Sequence, residues 1–246
     1  MSLHRLVNLL IIGCLLLAAV AFFMSDRLPA PQRLHAALQD EPLQSPTRDK
    51  PFEATVDGVD YRIEPRFAYD ISGLVVSLHA SDTWWDYAHK EWNDKINLAD
   101  LCVVWGENIR REAYRSTSFS NDQWTCFWST SSNNGFDATA FSNNHLITND
   151  PAHARTLRRV RVGDEVRVRG YLADYTTLKN GAPAGMRKTS VLRTDDGQGA
   201  CEVIWIQEIE ILRAANRPWR LTLRVALVLL LLSVIAWVLL PPRLSD

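Results

Sequence analysis

Val160–Tyr175 reads VRVGDEVRVRGYLADY, and this stretch decides the fold. Val162, Val166, Val168 and, past Gly170, Leu172 alternate with charged residues, the period of a strand with one buried face. Gly163-Asp164 supplies the turn that leads into it. Downstream, CEVIWIQEIEIL (Cys201–Leu212) alternates again, with Cys201, Val203, Trp205, Ile209 and Ile211 on its apolar side. Upstream, FEATVDGVDYRIEP (Phe52–Pro65) reads as a hairpin turning at Asp57-Gly58, a strong turn pair. ISGLVVSLHA (Ile71–Ala80) is a further β run in which Gly73 invites a bulge or sharp bend. LADLCVVWG (Leu98–Gly106) is apolar enough to be covered on both faces, and QWTCFWST (Gln123–Thr130) is another strand. Short strands with glycine bends predict a mainly β soluble domain, an OB-like small barrel with one or two short helices.

Two apolar runs bracket this domain. Leu6–Phe23 and Leu223–Leu240 each have the length an α-helix needs to cross a bilayer. The expected organisation is an N-terminal transmembrane anchor over 1–24, a proline-rich linker over 25–51 and the β-rich domain over 52–212. A basic juxtamembrane segment over 213–221 and a second transmembrane helix over 222–241 follow. FFMSDRLPAPQ, which follows the first run, offers no small-x-small site close to its end, so the run reads as an uncleaved anchor. Neither run carries an ionisable group at its centre, which argues against transport by this chain alone. Gly13, Ala18 and Ala19 form a small-residue patch suited to helix packing.

The net charge of −1 gives no global field for nucleic acid. Arginines near the membrane crowd the domain side (Arg27, Arg33, Arg213, Arg217, Arg220, Arg224) and leave Arg5 and Arg243 opposite. That asymmetry favours a cytoplasmic domain, but long domains cross regardless of such charges. The domain is read as extracytoplasmic on a two-pass protein of the bacterial inner membrane. In an oxidising compartment Cys102 and Cys126, on strand-like segments joined by a moderate loop, are the expected disulfide.

The segments DLCVVWG, WTCFW, SNNHLI, GDEVRVRGYLADY and DDGQGACEVIWI resemble those of a group of bacterial inner-membrane proteins with one OB-like domain beside membrane helices. The resemblance spans roughly Tyr69 to Leu212 and implies an envelope location. It implies no activity and no site residue.

Several constellations carry possible chemistry. In SNNHLI, His145 beside two asparagines suits a general base for a nucleophile, Cys126 or Cys201. No glycine elbow surrounds either cysteine, and a loop held by Asn143, Asn144 and His145 explains the segment as well. Asp82, Asp86 and His89 fall on one face of a short helix capped by Ser81 or Asp82, whose aromatics pack inward. They form a candidate metal set, and a solvated polar face gives the same pattern. Arg155, Arg158, Arg159, Arg161, Arg167 and Arg169 make a basic patch, interrupted by Asp164, Glu165 and Asp174, that reads as a salt-bridged or lipid-facing surface rather than a nucleic-acid site. Asp196-Gly197 and Gly199 suggest a tight hairpin turn. Ser129–Asn149 reads as a long loop, and Pro151–Arg159 as a short helix with Asp150 as cap. No dinucleotide or phosphate-binding glycine motif occurs, so no cofactor is expected.

The function read from the sequence is a non-enzymatic binding or accessory module of the envelope. Its expected partners are the lipid bilayer and, through the helices, other membrane proteins or a second copy. The alternatives are a Cys/His hydrolase or thiol enzyme, and a cytoplasm-facing OB-type nucleic-acid binder.

Overall fold

The computed structural model describes residues 2–84, 86–130, 133–195 and 201–241. The first elements along the chain are α1 (Leu3–Ser25), β1 (Leu43–Pro46), β2 (Phe52–Val56), β3 (Val59–Ala80), α2 (Ala88–Glu91), β4 (Asn97–Val104) and α3 (Gly106–Arg110). Then come β5 (Ser118–Asn121), β6 (Cys126–Ser129), β7 (Phe141–Ile147), α4 (Pro151–Leu157), β8 (Glu165–Lys179), β9 (Ala182–Arg187), β10 (Glu202–Arg213) and α5 (Arg217–Leu239). Two compact units result. One holds Met1–Arg27 with Ala215–Asp246, the other Leu28–Ala214.

In the terminal unit α1 packs along α5, and both are long and apolar enough to span a membrane. Val7, Cys14, Ala18, Ala21 and Ser25 recur at helical spacing and form the buried stripe of α1. Ala226 and Ser233 are the buried residues of α5. Small side chains at such a seam let backbones approach closely. Only Ala18 of the expected small patch lies there; Gly13 and Ala19 face outward. The Asn216 side-chain amide donates to the carbonyls of Ser25 (3.1 Å) and Arg27 (2.7 Å), satisfying groups that the end of α1 leaves open.

The larger unit is mainly β. Eight strands share one sheet in the order β1-β3-β4-β7-β10-β8-β9, with β2 on β3. β3 also pairs with β8, so the pairings from β3 through β4, β7, β10 and β8 return to β3. β7 and β10 are parallel; every other pair in this circuit is antiparallel. β5 and β6 form a separate hairpin.

The two β runs expected on either side of Pro65 are one 22-residue strand. Its register shifts between Pro65 and Phe67, where proline offers no ladder N–H, and again between Val75 and Ser77. These bends let β3 serve β2 and β8 first and β4 afterwards. At Gly170 a Cβ would lie 1.8 Å from the carbonyl oxygen of Trp205, so only glycine fits where β8 meets the bulge of β10.

The alternation in β8 holds: Val166, Val168 and Leu172 enter the main core with Leu101, Val103 and Leu146. In β10 the core-facing parity differs from the expected one. Ile204 and Ile206 join that core, while Val203 and Trp205 pack with Tyr61, Ile63 and Tyr175 on the opposite side. Both faces of β10 are covered there, so its apolar residues could not mark a single inside.

Residues 141–147, expected within a long loop, form β7. Ser142 to Ile147 are all buried; the Asn143 and Asn144 side-chain amides, the Ser142 hydroxyl and the His145 ring are hydrogen-bonded internally, and so many buried polar residues hide the strand from a hydrophobic pattern. The expected linker also joins the folded unit. β1 pairs with β3, Leu38 is fully buried, and Glu41 accepts from the Trp105 indole at 2.9 Å. Asp57-Gly58 turns the β2–β3 hairpin with both residues at positive φ, as expected. Asp150 caps α4 by accepting from the Ala152 N–H. Cys102 and Cys126 form a disulfide, Cα to Cα 5.8 Å, that ties β6 to β4. Asp196-Gly197 and Gly199 lie outside the described residues.

Candidate functional site

A chain of buried polar side chains crosses the unit where the β3–β4 connection meets β4 and β7. His79, at the end of β3, and His89, in α2, both reach Oδ2 of Asp86, at 2.7 Å and 2.8 Å. Oδ1 of Asp86 accepts from the His89 backbone N–H at 2.9 Å. The Asn97 amide, at the start of β4, lies 3.0 Å from His89 Nε2 and donates to Asp100 Oδ1 at 2.9 Å. His145 Nδ1 meets the same oxygen at 2.5 Å, and Arg187, at the end of β9, donates to His145 Nε2 at 2.7 Å.

The guanidinium has no acceptor, so His145 Nε2 must accept and its proton rests on Nδ1, donated to Asp100. By the same logic Asn97 donates to His89 Nε2, and His89 Nδ1 donates to Asp86. The structure thus contains two Asp–His pairs bridged by one amide. Asp86, His89, Asp100 and His145 are all essentially buried, while His79 is at the rim.

Burial is the largest influence on Asp100 and raises its carboxyl, but His145 and the Asn97 amide outweigh it and the group ends below the usual range. Burial likewise raises Asp86, and its bonds to His79 and His89 bring it below the ordinary value. Burial depresses His89, favouring its neutral form over the pull of Asp100 and Asp86.

Trp124 covers this chain. Its ring lies 4.0 Å from the His89 ring and 6.5 Å from that of His145, and the Arg187 guanidinium sits 4.6 Å over it. Trp92 continues the aromatic surface 5.8 Å away. Trp84, Tyr87 and Trp92 are each more than two-thirds exposed. The helix is only Ala88–Glu91, and among the described residues of this segment Trp84, Tyr87 and Trp92 do not turn inward as expected; Asp86 and His89 take the inner positions, and Trp85 lies outside the described residues. Beside them His89 and Asn97 line a cavity of about 400 Å³ bordered by Asp82, Asp94, Lys95 and Arg158.

The candidates read from sequence separate as follows. Asp86 and His89 come together, but Asp82 points to Arg158 (2.6 Å) and His79 takes its place. His145 is held by side chains on β4 and β9 rather than by loop backbone. Cys126 is engaged in the disulfide. Cys201 bonds Asn143 Nδ2 at 3.3 Å, and burial pushes its thiol up. In the basic patch Arg158 pairs with Asp82, Arg167 with Asp70 and Arg169 with Glu208, while Arg161 donates to the carbonyls of Arg158 and Val160. Arg155 lies on α4 with Arg159 just beyond it, so the patch is largely neutralised along its strand portion.

His79, Asn97, Asp100 and Arg187 escape a sequence reading. Asp100 alone carried a signal, a carboxylate inside the apolar run LADLCVVW, which demands a buried partner. Comparison with protein-family models, curated proteins and solved structures finds no match, so geometry alone carries the functional reading.

Proposed function

We propose that the larger unit is an OB-like barrel serving as a membrane-tethered, non-enzymatic binding module of the bacterial envelope. The circuit of pairings through β3, β4, β7, β10 and β8, with α4 between β7 and β8, supports the barrel. In such barrels the loops joining the first two and last two strands flank the ligand face. Here those connections are residues 81–96 and 180–201.

The observation that carries the reading is the exposed aromatic surface of Trp84, Tyr87 and Trp92, continued by Trp124 under Arg187. Exposed aromatics clustered on one short segment mark a binding surface. The disulfide between Cys102 and Cys126 suits an oxidising compartment, where oligosaccharide rather than nucleic acid is the flat-faced ligand at hand. The engaged nitrogens of His145 and the raised thiol of Cys201 favour binding over nucleophilic catalysis.

Titration of the full-length protein in detergent with solubilised envelope glycan, read by tryptophan fluorescence, tests this. Binding should weaken at least tenfold in Trp92→Ala and Trp84→Ala and stay unchanged in Leu43→Ala, whose exposed side chain lies on β1, outside both connections. Equal affinity in all variants, or no binding by the wild type, contradicts the proposal.

A further inference from the structure

We infer that His79, Asp86 and His89 form a site for a divalent first-row transition ion, Zn²⁺ foremost. The three donor atoms, His79 Nε2, Asp86 Oδ2 and His89 Nδ1, lie within 4.8 Å of one another. Two imidazoles and one carboxylate are a donor set for zinc and its neighbours, leaving a position open for water or a further ligand. A tetrahedral ion with bonds of about 2.0–2.1 Å holds its ligand atoms roughly 3.3 Å apart. The Asp86–His79 and Asp86–His89 contacts, at 2.7 Å and 2.8 Å, need open by only about half an ångström to meet that spacing.

Three further features support the assignment. Asp86 is fully buried, and its second oxygen is fixed by the His89 N–H, so the carboxylate already points at both rings. His79 is at the rim, 16 % exposed at its side chain, which gives an ion a way in. The buried Asn97 Oδ1 has no partner. A metal on His89 Nδ1 moves the ring proton to Nε2, and that proton needs an acceptor. Turning the Asn97 amide by half a revolution brings its orphaned oxygen toward Nε2, now 3.0 Å from Nδ2, and gives up the Asn97 bond to Asp100 Oδ1, so those two oxygens must move apart. The ion would brace the segment that carries Trp84, Tyr87 and Trp92, though the site stands on its own geometry and not on the glycan reading.

The test uses the full-length protein in detergent, stripped with a chelator and then given Zn²⁺ or Co²⁺ alone. One equivalent of Zn²⁺ should be retained, and Co²⁺ should show the visible absorption of low-coordinate imidazole ligation. His89→Ala and Asp86→Asn should abolish retention, and His79→Gln, at the rim, should weaken it at least tenfold. Asn97→Ala should weaken it about 10–100-fold, and Asp82→Asn should leave it unchanged. Failure of the wild type to retain an equivalent, or retention unaffected by His79→Gln in a protein with native circular dichroism, overturns the inference. Neither result depends on whether glycan binds.

Discussion

At the scale of single residues, burial of charge governs the chemistry of this domain. Glu202 starts β10 beneath Arg193, whose guanidinium also lies 5.0 Å over the Trp105 ring and 5.2 Å over that of Tyr69. Burial dominates and pushes Glu202 up to about 8, with Arg193 pulling it back. The folded protein therefore holds a proton that the unfolded chain releases above about 4.5. That contribution to stability is complete below about 4.5 and is lost as pH rises through about 8. Thermal unfolding of the wild type and of Glu202→Gln across this window should diverge, the wild type losing more stability toward high pH; parallel profiles would contradict the assignment. Sequence reading marked His145, Asp86 and His89 as chemically suggestive but could not pair them. Their partners Asp100, Asn97 and Arg187 come from other strands, and Asp82 looked equivalent to Asp86 only because a longer helix was expected.

At the scale of elements, alternation was legible wherever one face is buried and the other wet, as in β8 and the β2–β3 hairpin. It failed where both faces are covered. β10 buries Val203 on one side and Ile204 on the other, and β7 buries Ser142, Asn143, Asn144 and His145 as fully as Leu146. β9 went unread although Asn180-Gly181, both at positive φ, is a strong hairpin pair. The disulfide was legible from the strand contexts of Cys102 and Cys126. Its role follows from the topology: it closes a loop spanning 24 positions and fastens the β5–β6 hairpin, which otherwise shares no ladder with the main sheet. A Cys102→Ser/Cys126→Ser double variant should lose about 3 kcal/mol of stability, the closure entropy of such a loop. Amide exchange should accelerate first in Ser118–Ser129 while β8 stays protected. Unchanged stability and exchange would show that the hairpin holds without the bond.

At the scale of the whole molecule, two apolar helices and one β unit with a disulfide combine into a single proposal: a module tethered at both ends and facing an oxidising compartment. The apolar runs were plain in the sequence because an unbroken apolar stretch long enough to span a bilayer leaves the strongest compositional mark a chain can carry. Orientation was not, since the arginine asymmetry and the size of the domain pull in opposite directions. The measurement that tests this most directly is thiol labelling in intact cells with a membrane-impermeant maleimide, on a full-length Lys50→Cys variant. Lys50 is exposed on the larger unit. The account predicts that this cysteine is labelled from outside and that Cys102 and Cys126 take the reagent only after denaturation and reduction. Labelling at position 50 only after lysis, with Cys102 and Cys126 reactive in the denatured protein without reduction, would contradict it.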